Sequence, residues 1–375
     1  VRVGDVRWPL SEFRTVFSGV IEDISMRSAD TLNLLLRDKS QRLNSTLTEA
    51  TLANATLTST TLKPLCFGEV HNITPVLSDA ATLTYMVHDG PIEGVIEVRD
   101  NGIPVSFGVN LANGTFSPSA SPVGTITASV QGAKPSGTYL NTVGPLVKHI
   151  ATTYGTTPLA VGDLDVAQID AFSSAHTQAV GVYLSGRTNT INVLQDLAAS
   201  VGAQVTMSPG GKLQIKKVSL PAGGTPVDIG PSDMVVGTLA VSSVPPVVAS
   251  VRLEYCRNYT EQKGLQTGLP PAHAELYGQE WLVVQAVNQS VSDLWNLTTS
   301  PEATPTLLQV RLQAEAEASR RLDLWGVRRK VLKFDAFGAA VTYPLGGAVT
   351  LTHSRFGLSA GVTVQVVCKK TDWLG

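Results

Sequence analysis

Residues 95–107 read Val-Ile-Glu-Val-Arg-Asp-Asn-Gly-Ile-Pro-Val-Ser-Phe, and this segment has the pattern of a β-hairpin. Two apolar runs flank Asp100-Asn101-Gly102, and an Asn-Gly pair accepts the positive φ angles that a tight hairpin turn needs. A further turn signal at Asn113-Gly114 precedes a strand predicted at 125–130. Residues 63–135 are therefore predicted to form a small all-β domain.

The segment before this domain also has strand character. Residues 16–24 and 31–36 read as two strands joined by a polar turn at 27–30, which predicts a hairpin. Residues 43–62 contain no Gly or Pro and little charge, and we interpret them as an extended linker between domains. Residues 1–62 are predicted to be an incomplete first β domain.

Helical spacing begins after the small β domain. Apolar residues recur at intervals of three and four and predict short helices near 146–154, 163–172 and 189–201. A hairpin is predicted at 204–218, around a Pro-Gly-Gly turn. These elements predict an α+β domain at 136–225, bounded by segments rich in Gly and Pro.

Strand character returns in the last part of the chain, which is predicted to be a second β domain at 226–375. The strands expected to complete one sheet there are 247–255, 281–287, 327–334, 348–352 and 362–369. The whole chain is therefore predicted to be mainly β, of the α+β class, with one long helix packed on a sheet.

That helix is predicted at 304–325, with Thr304 as its cap and Pro305 in its first turn. Glu317 is expected to pair with Arg321 one turn later. The residues predicted to form its buried stripe are Leu307, Val310, Ala314, Ala318, Leu322 and Trp325. The residues predicted to face solvent are Gln309, Gln313 and Arg320.

Composition narrows the classes of function. Only 15% of the 375 residues are charged, whereas soluble domains usually have roughly 25%. Charges are depleted in the centres of protein interfaces, so this composition favours a surface covered by neighbouring subunits. The net charge is −2 and no run of Lys and Arg occurs, which argues against a protein that grips DNA.

No pattern of reactive residues predicts an enzyme. Cys66, Cys256 and Cys368 lie far apart and are expected to be reduced, packed thiols, and the six His show no metal-ligand spacing. Glu315 and Glu317 point in different directions on a helix, so they cannot form a carboxylate pair. No residue is assigned a catalytic, cofactor-binding or metal-ligating role, and no cofactor is expected.

Several stretches together resemble a known group of proteins. The longest is Lys63-Pro64-Leu65-Cys66-Phe67-Gly68-Glu69-Val70-His71-Asn72-Ile73-Thr74-Pro75-Val76-Leu77. Shorter ones are residues 85–92, 98–105, 180–184, 197–203, 211–213 and 364–368, and the pairs Asp38-Lys39 and Arg42-Leu43. With them the chain resembles the central tail-tip (baseplate) hub proteins of long-tailed bacteriophages and prophages, which contain tail-tube-like domains.

The resemblance implies an architecture and a set of partners. Residues 1–62 and 226–375 would be tube-like β domains, with 63–135 and 136–225 inserted between them. The first of these domains is short for the group, which favours a missing N-terminal portion. The implied assembly is a homotrimer in the virion tail tip, built in the bacterial host cytoplasm. The implied partners are distal tail or tube proteins, the tape-measure protein, and tail fibre or central spike proteins. DNA would only pass through the lumen, without specific binding, and contact with the host envelope would be transient.

Two other functions stay open on the sequence. One is a tail-associated carbohydrate-active or peptidoglycan-degrading enzyme, which would need two carboxylates at hydrolytic separation in a cleft. The other is a host-binding adhesin module, which repeats or an exposed aromatic patch would favour. The Thr- and Asn-rich strands are interpreted as solvated surface rather than as a glycan-binding face.

Overall fold

The computed structural model describes residues 1–28, 31–52, 60–221, 226–262, 270–337, 343 and 345–370. It is sheet-rich, with 34% strand and 23% helix, which confirms the predicted fold class. The first twelve strands are β1 (Arg2–Val3), β2 (Arg14–Thr15), β3 (Val20–Ser28), β4 (Thr31–Arg37), β5 (Leu65–Ile73), β6 (Val76–Asp79), β7 (Thr84–Met86), β8 (Ile92–Asp100), β9 (Ile103–Pro104), β10 (Phe107–Asn110), β11 (Thr115–Pro118) and β12 (Ile126–Ala133). The others are β13 (Gly181–Leu184), β14 (Ala203–Met207), β15 (Leu213–Lys217), β16 (Val227–Ile229), β17 (Ala240–Ser243), β18 (Ser250–Tyr255), β19 (Leu282–Val287), β20 (Thr304–Pro305), β21 (Val331–Lys333), β22 (Ala348–Leu351) and β23 (Val362–Gln365). The α-helices are α1 (Val143–Thr153), α2 (Val166–Ala175), α3 (Thr190–Ser200), α4 (Pro271–Gly278), α5 (Gln289–Trp295) and α6 (Arg311–Trp325).

The N-terminal hairpin has the predicted pairing. Strands β3 and β4 run antiparallel, with Ile24 opposite Leu34 and Met26 opposite Leu32. The first strand begins at Val20 rather than at residue 16, and part of the predicted turn lies outside the described residues.

The small β unit consists of two sheets. Strands β10-β11-β7-β6 form one, and β13-β5-β12-β8-β9 form the other. Asn101 and Gly102 have φ angles of 47° and 83°, as the Asn-Gly signal predicts for the turn between β8 and β9. The edge strand β13 comes from the α+β segment, so the second sheet continues beyond residue 135.

The α+β unit contains the three predicted helices and the predicted hairpin. Helices α1 and α3 bury their apolar faces, and β14 pairs with β15 in an antiparallel ribbon. The segment predicted as an extended linker is packed in its first part, because Leu47 and Leu52 are buried. Residues 53–59 of that segment lie outside the described residues.

The prediction of one C-terminal sheet is wrong. The strands of this region belong to three small sheets, β16-β22-β23, β17-β21 and β19-β18-β20. Strand β22 pairs with β16 on one side and with β23 on the other, so it has no free edge on which β18 could pair.

The predicted start of the long helix is also wrong. Helix α6 begins at Arg311, and Thr304–Pro305 form a strand that pairs in parallel with β18. The backbone N–H of Thr306 donates to Glu254, and the carbonyl of Leu308 accepts from Cys256. Since β18 takes these backbone groups, they cannot enter the first turns of a helix.

Helix α6 packs against β18 and β19, as predicted, and buries Ala314, Ala318 and Leu322 of the predicted stripe. Val310, which was also predicted to be buried, precedes the helix and is exposed. Its other side is not the solvated face that was predicted. The Gln313 side chain accepts a hydrogen bond from the Ala179 backbone, and Arg320 donates to the carbonyl of Val218. These contacts attach the helix to the α+β unit.

The main hydrophobic core is shared between segments of the chain. It includes Leu65 and Phe67 of β5, helices α1 and α3, Leu253 of β18 and Leu308 before α6. The core therefore continues across residues 63, 136 and 226, where the domain boundaries were predicted. Those boundaries stay a prediction. None of the described helices is long and apolar enough to cross a membrane.

Candidate assembly surfaces

The β3–β4 hairpin has apolar side chains that are exposed to solvent. Within the part of the chain that the structure describes, its two strands pair only with each other. Both outer edges therefore present backbone N–H and C=O groups that another strand can bind. Two-stranded ribbons are marginally stable in water unless they pack against something else.

One face of this hairpin is an apolar patch. Cross-strand partners lie on the same side of a ribbon, so Ile24, Leu34, Met26 and Leu32 share a face. Each of these side chains is between 48% and 74% exposed. We call these four residues the hairpin surface. Burying an apolar side chain of this size contributes about 1.5–3 kcal/mol, so a partner that covers all four gains several kcal/mol.

A second exposed apolar surface lies at β19 and α5. Strand β19 is the edge of its sheet, and Val283 and Val287 project from its exposed side. Helix α5 follows directly in the chain and exposes Leu294 and Trp295. We call these four residues the edge surface. Large exposed apolar patches on a protein surface are typical of interaction sites.

The small β unit contains a cleft of about 750 Å³. An ion pair between Lys63 and Asp89, with 2.9 Å between Nζ and Oδ1, forms part of its wall. Its other lining side chains are mostly small or polar: Thr84, Met86, Val109, Asn110, Ala112, Asn113, Thr115, Phe116 and Ser117. Phe116 is buried, so it offers no exposed ring on which a sugar could stack.

Two histidines, His88 and His149, have structural surroundings. His88 is buried, and its Nδ1 accepts a hydrogen bond of 3.1 Å from the backbone N–H of Cys66. Burial lowers the pKa of His88 to about 4, so this side chain is neutral at physiological pH. His149 is half-buried and packs edge-on against Phe67 and Tyr154.

Glu315 and Glu317 diverge as predicted. The side chain of Glu315 is 41% exposed and pairs with Arg311, whereas Glu317 is buried and pairs with Arg321 at 2.8 Å, the predicted partner. Arg320 and Lys217 also contact Glu317, which the sequence did not predict. Glu317 and Arg320 are three residues apart on a helix, and this spacing could have predicted their contact.

No group of three or more His, Cys, Asp or Glu side chains among the described residues is arranged to hold a metal ion. Cys66 and Cys256 are buried thiols, as expected, but Cys368 is exposed. The expectation that the chain has no catalytic, cofactor-binding or metal-ligating residues stays a prediction.

No family model matches this chain, and no curated protein matches it. Among solved structures, the chain is similar to a chain in the virion of a native gene transfer agent particle. That similarity has 13% identity and a TM-score of 0.47, and covers 86% of this chain and 88% of the other. The chain is also similar to the 43 kDa tail protein of prophage MuSo2 from Shewanella oneidensis, with 12% identity and a TM-score of 0.27. This second similarity covers 80% of this chain and 81% of the other.

Proposed function

We propose that this chain is a structural component of a phage-type tail and acts as a hub at the tail tip. The observation that carries the proposal is the hairpin surface, because an apolar ribbon with two free edges is suited to assembly. The low content of charged residues and the motif resemblance at 63–77 support it.

The proposed assembly is a homotrimer that closes or extends the tail tube. A ring with rotational symmetry joins one surface of each subunit to a different surface of the next. The hairpin surface and the edge surface are two such surfaces on one chain. In this proposal residues 1–62 and 226–375 supply the tube-like units, and the segments 63–135 and 136–225 are inserts.

The proposed partners follow from a position at the tip. Distal tail or tube proteins and the tape-measure protein would contact the hub on one side. Tail fibre or central spike proteins would contact it on the other. DNA would pass through the lumen without specific contacts, which agrees with a net charge of −2. The hub would serve genome ejection in the virion and would be assembled in the bacterial cytoplasm.

A structural role without catalysis is part of the proposal. The alternative of a host-binding module is favoured by one observation, the polar cleft of about 750 Å³ beside Lys63 and Asp89. Binding of host-envelope saccharides to the isolated chain, lost in Lys63→Ala and Asn113→Ala, would support that alternative. Cleavage of purified cell wall by the chain would contradict the structural proposal.

The experiment on assembly compares the chain with the double variant Ile24→Asp/Met26→Asp. We expect the wild-type chain to form trimers in sedimentation analysis and the variant to sediment as a monomer with unchanged thermal unfolding. The matched control is Val123→Asp/Val236→Asp, which places the same two charges at almost fully exposed sites outside both surfaces. The control should stay trimeric. A variant that assembles as the wild type does, or a closed twofold dimer, would contradict the proposal.

A further inference from the structure

The chain contains two Asn-Gly pairs, Asn101-Gly102 and Asn113-Gly114. Both lie in turns of the small β unit: the first joins β8 to β9, and the second comes directly before β11. Asparagine is one of the chemically labile side chains of proteins. It is most labile before glycine, because no side chain hinders the approach of the glycine backbone nitrogen to the asparagine amide. The two pairs share this local chemistry and differ in their surroundings.

The side-chain amide of Asn101 is held by the segment before β12. Its Oδ1 accepts a hydrogen bond of 2.9 Å from the backbone N–H of Thr125, and its own backbone N–H donates to the Thr125 carbonyl at 3.0 Å. The adjacent carboxylate of Asp100 accepts from the N–H groups of Val123 and Gly124 at 2.7 and 2.8 Å, which fixes the same segment. The Asn101 amide can therefore change its rotamer only after hydrogen bonds open.

The side chain of Asn113 has no such restraint. It is exposed and lines the cleft of about 750 Å³. The backbone N–H of Asn113 donates to Asn110, but its side-chain amide forms no hydrogen bond with another residue that the structure describes. The backbone N–H of Gly114 also has no acceptor among the described residues. The two groups that would react with each other are thus free of other partners.

Gly114 is fixed through its carbonyl. This carbonyl accepts a hydrogen bond of 2.9 Å from the N–H of Val87 and one of 3.4 Å from the N–H of His88. A Cβ placed on Gly114 would lie 2.3 Å from the carbonyl oxygen of His88, so the two backbones are in close contact. Asp89 and Gly90, which follow, line the cleft. A longer main chain just before Gly114 would therefore displace the segment 87–90.

We propose that Asn113 is a site of spontaneous deamidation, and that isoaspartate formed there loosens the segment 87–90 beside the cleft. The backbone nitrogen of Gly114 attacks the side-chain carbonyl carbon of Asn113. A new C–N bond closes a succinimide ring, the bond from that carbon to Nδ2 breaks, and ammonia leaves with the proton of the Gly114 N–H. Water then opens the ring at either carbonyl. One opening gives aspartate, and the other gives isoaspartate, whose main chain is longer by a methylene group.

Asn101 provides a control within the same chain. The intact protein is aged in neutral buffer and digested, and deamidation at residues 101 and 113 is quantified by mass spectrometry. The same measurement in urea gives the rates of both sites without the fold, and we expect these to be similar. In the folded protein we expect Asn113 to deamidate about ten-fold faster than Asn101, because the hydrogen bonds that hold Asn101 must open first.

Two variants test the role of the surroundings. Asp100→Ala removes the acceptor for the N–H groups of Val123 and Gly124, and it should speed deamidation of Asn101 by about ten-fold and leave that of Asn113 unchanged. Asn113→Gln should abolish deamidation at residue 113, because glutamine closes the corresponding larger ring far more slowly. It should leave the rate at Asn101 unchanged.

The loosening of the segment 87–90 is measured by amide hydrogen exchange. In aged protein that contains isoaspartate, we expect the Val87 amide to exchange about ten-fold faster than in fresh protein, because its hydrogen bond to Gly114 is weakened. The matched control is Asn113→Asp, which carries the new charge on a main chain of normal length and should exchange as the fresh protein does. Aged Asn113→Gln should also be unchanged.

The inference is overturned if Asn101 deamidates as fast as Asn113 in the folded protein, or if both sites react only in urea. An unchanged Val87 amide in isoaspartate-containing protein would refute the proposed loosening of the segment 87–90. Faster exchange of this amide in Asn113→Asp would refute it as well, because the charge alone would then account for the effect.

Discussion

Replacing Glu317 by Gln removes one buried negative charge and changes the side-chain shape very little. The side chain of Glu317 is 2% exposed. Its two oxygens accept hydrogen bonds from Arg320 at 2.7 and 2.8 Å and from Arg321 at 2.8 Å, and Lys217 Nζ lies 3.8 Å away. Arg320 also donates to Val218 and Arg321 to Ala199, so the carboxylate holds α6 against the α+β unit.

The stability that Glu317→Gln loses can be estimated from these contacts. A hydrogen bond to a charged group contributes about 1.5–3 kcal/mol, and Glu317 accepts three of them. The arginine side chains are 28% and 19% exposed, so water recovers part of the loss on their side. Glutamine keeps one acceptor oxygen but adds a donor among three cations. We therefore expect Glu317→Gln to lower the free energy of unfolding by about 3 kcal/mol, the lower end for breaking a buried ion pair.

The matched control is Glu315→Gln on the same helix. Glu315 pairs with Arg311 at 2.9 Å, but both side chains are well exposed, and such pairs contribute less than about 0.5 kcal/mol. The urea concentrations at which the wild type, Glu317→Gln and Glu315→Gln unfold are compared by circular dichroism. If the two variants unfold at the same urea concentration, the buried carboxylate does not hold the helix in place and the reasoning is wrong.

The same carboxylate gives a dependence on pH. Burial raises the pKa of Glu317, but the hydrogen bonds from Arg320 and Arg321 outweigh it and bring the pKa below the usual 4.5. A carboxyl group whose pKa is lowered by folding stabilises the fold above its unfolded pKa. This stability is lost as the pH falls through the folded pKa. Glu317→Gln should therefore lose less stability than the wild type on acidification below about pH 4.5.

Two further predictions concern the cores. Leu322→Asp places an unpaired charge where α6 packs on β18 and β19 and should cost about 3 kcal/mol or more, whereas Leu312→Asp, on the exposed side of the same helix, should change the urea midpoint little. Equal midpoints for these two variants would mean that the packing of α6 is misassigned. His88 is neutral in the fold, with a pKa of about 4, but takes up a proton near pH 6.5 when unfolded, so wild-type stability should fall as the pH drops from 6.5 to 4. His88→Asn keeps an acceptor for the Cys66 N–H and should flatten this fall in a series of thermal unfolding measurements; an unchanged slope would contradict the assignment.

Local patterns were sufficient wherever a single segment determines its own conformation. Asn101 and Gly102 set the turn between β8 and β9 because positive φ angles are a property of those two residues. The spacing of apolar residues predicted α1, α2 and α3 for the same reason, since a helix buries one face of its own sequence. Glu317 and Arg321 pair because residues four apart on a helix are neighbours.

Contacts between distant segments decided the rest. Thr304 and Pro305 have the composition of a helix start, but β18 binds the backbone of this segment and turns it into a strand. The hairpin surface could not be recognised from its apolar residues alone, because the same residues would be buried if other strands covered them. Strand β5 and the segment after β18 meet through the hydrogen bond from the Tyr259 N–H to the His71 carbonyl, although these two residues lie 188 positions apart, the difference of 259 and 71. The sequence therefore determined the local elements and the sheet-rich class, whereas the exposed surfaces depend on which distant strands compete for the same backbone hydrogen bonds.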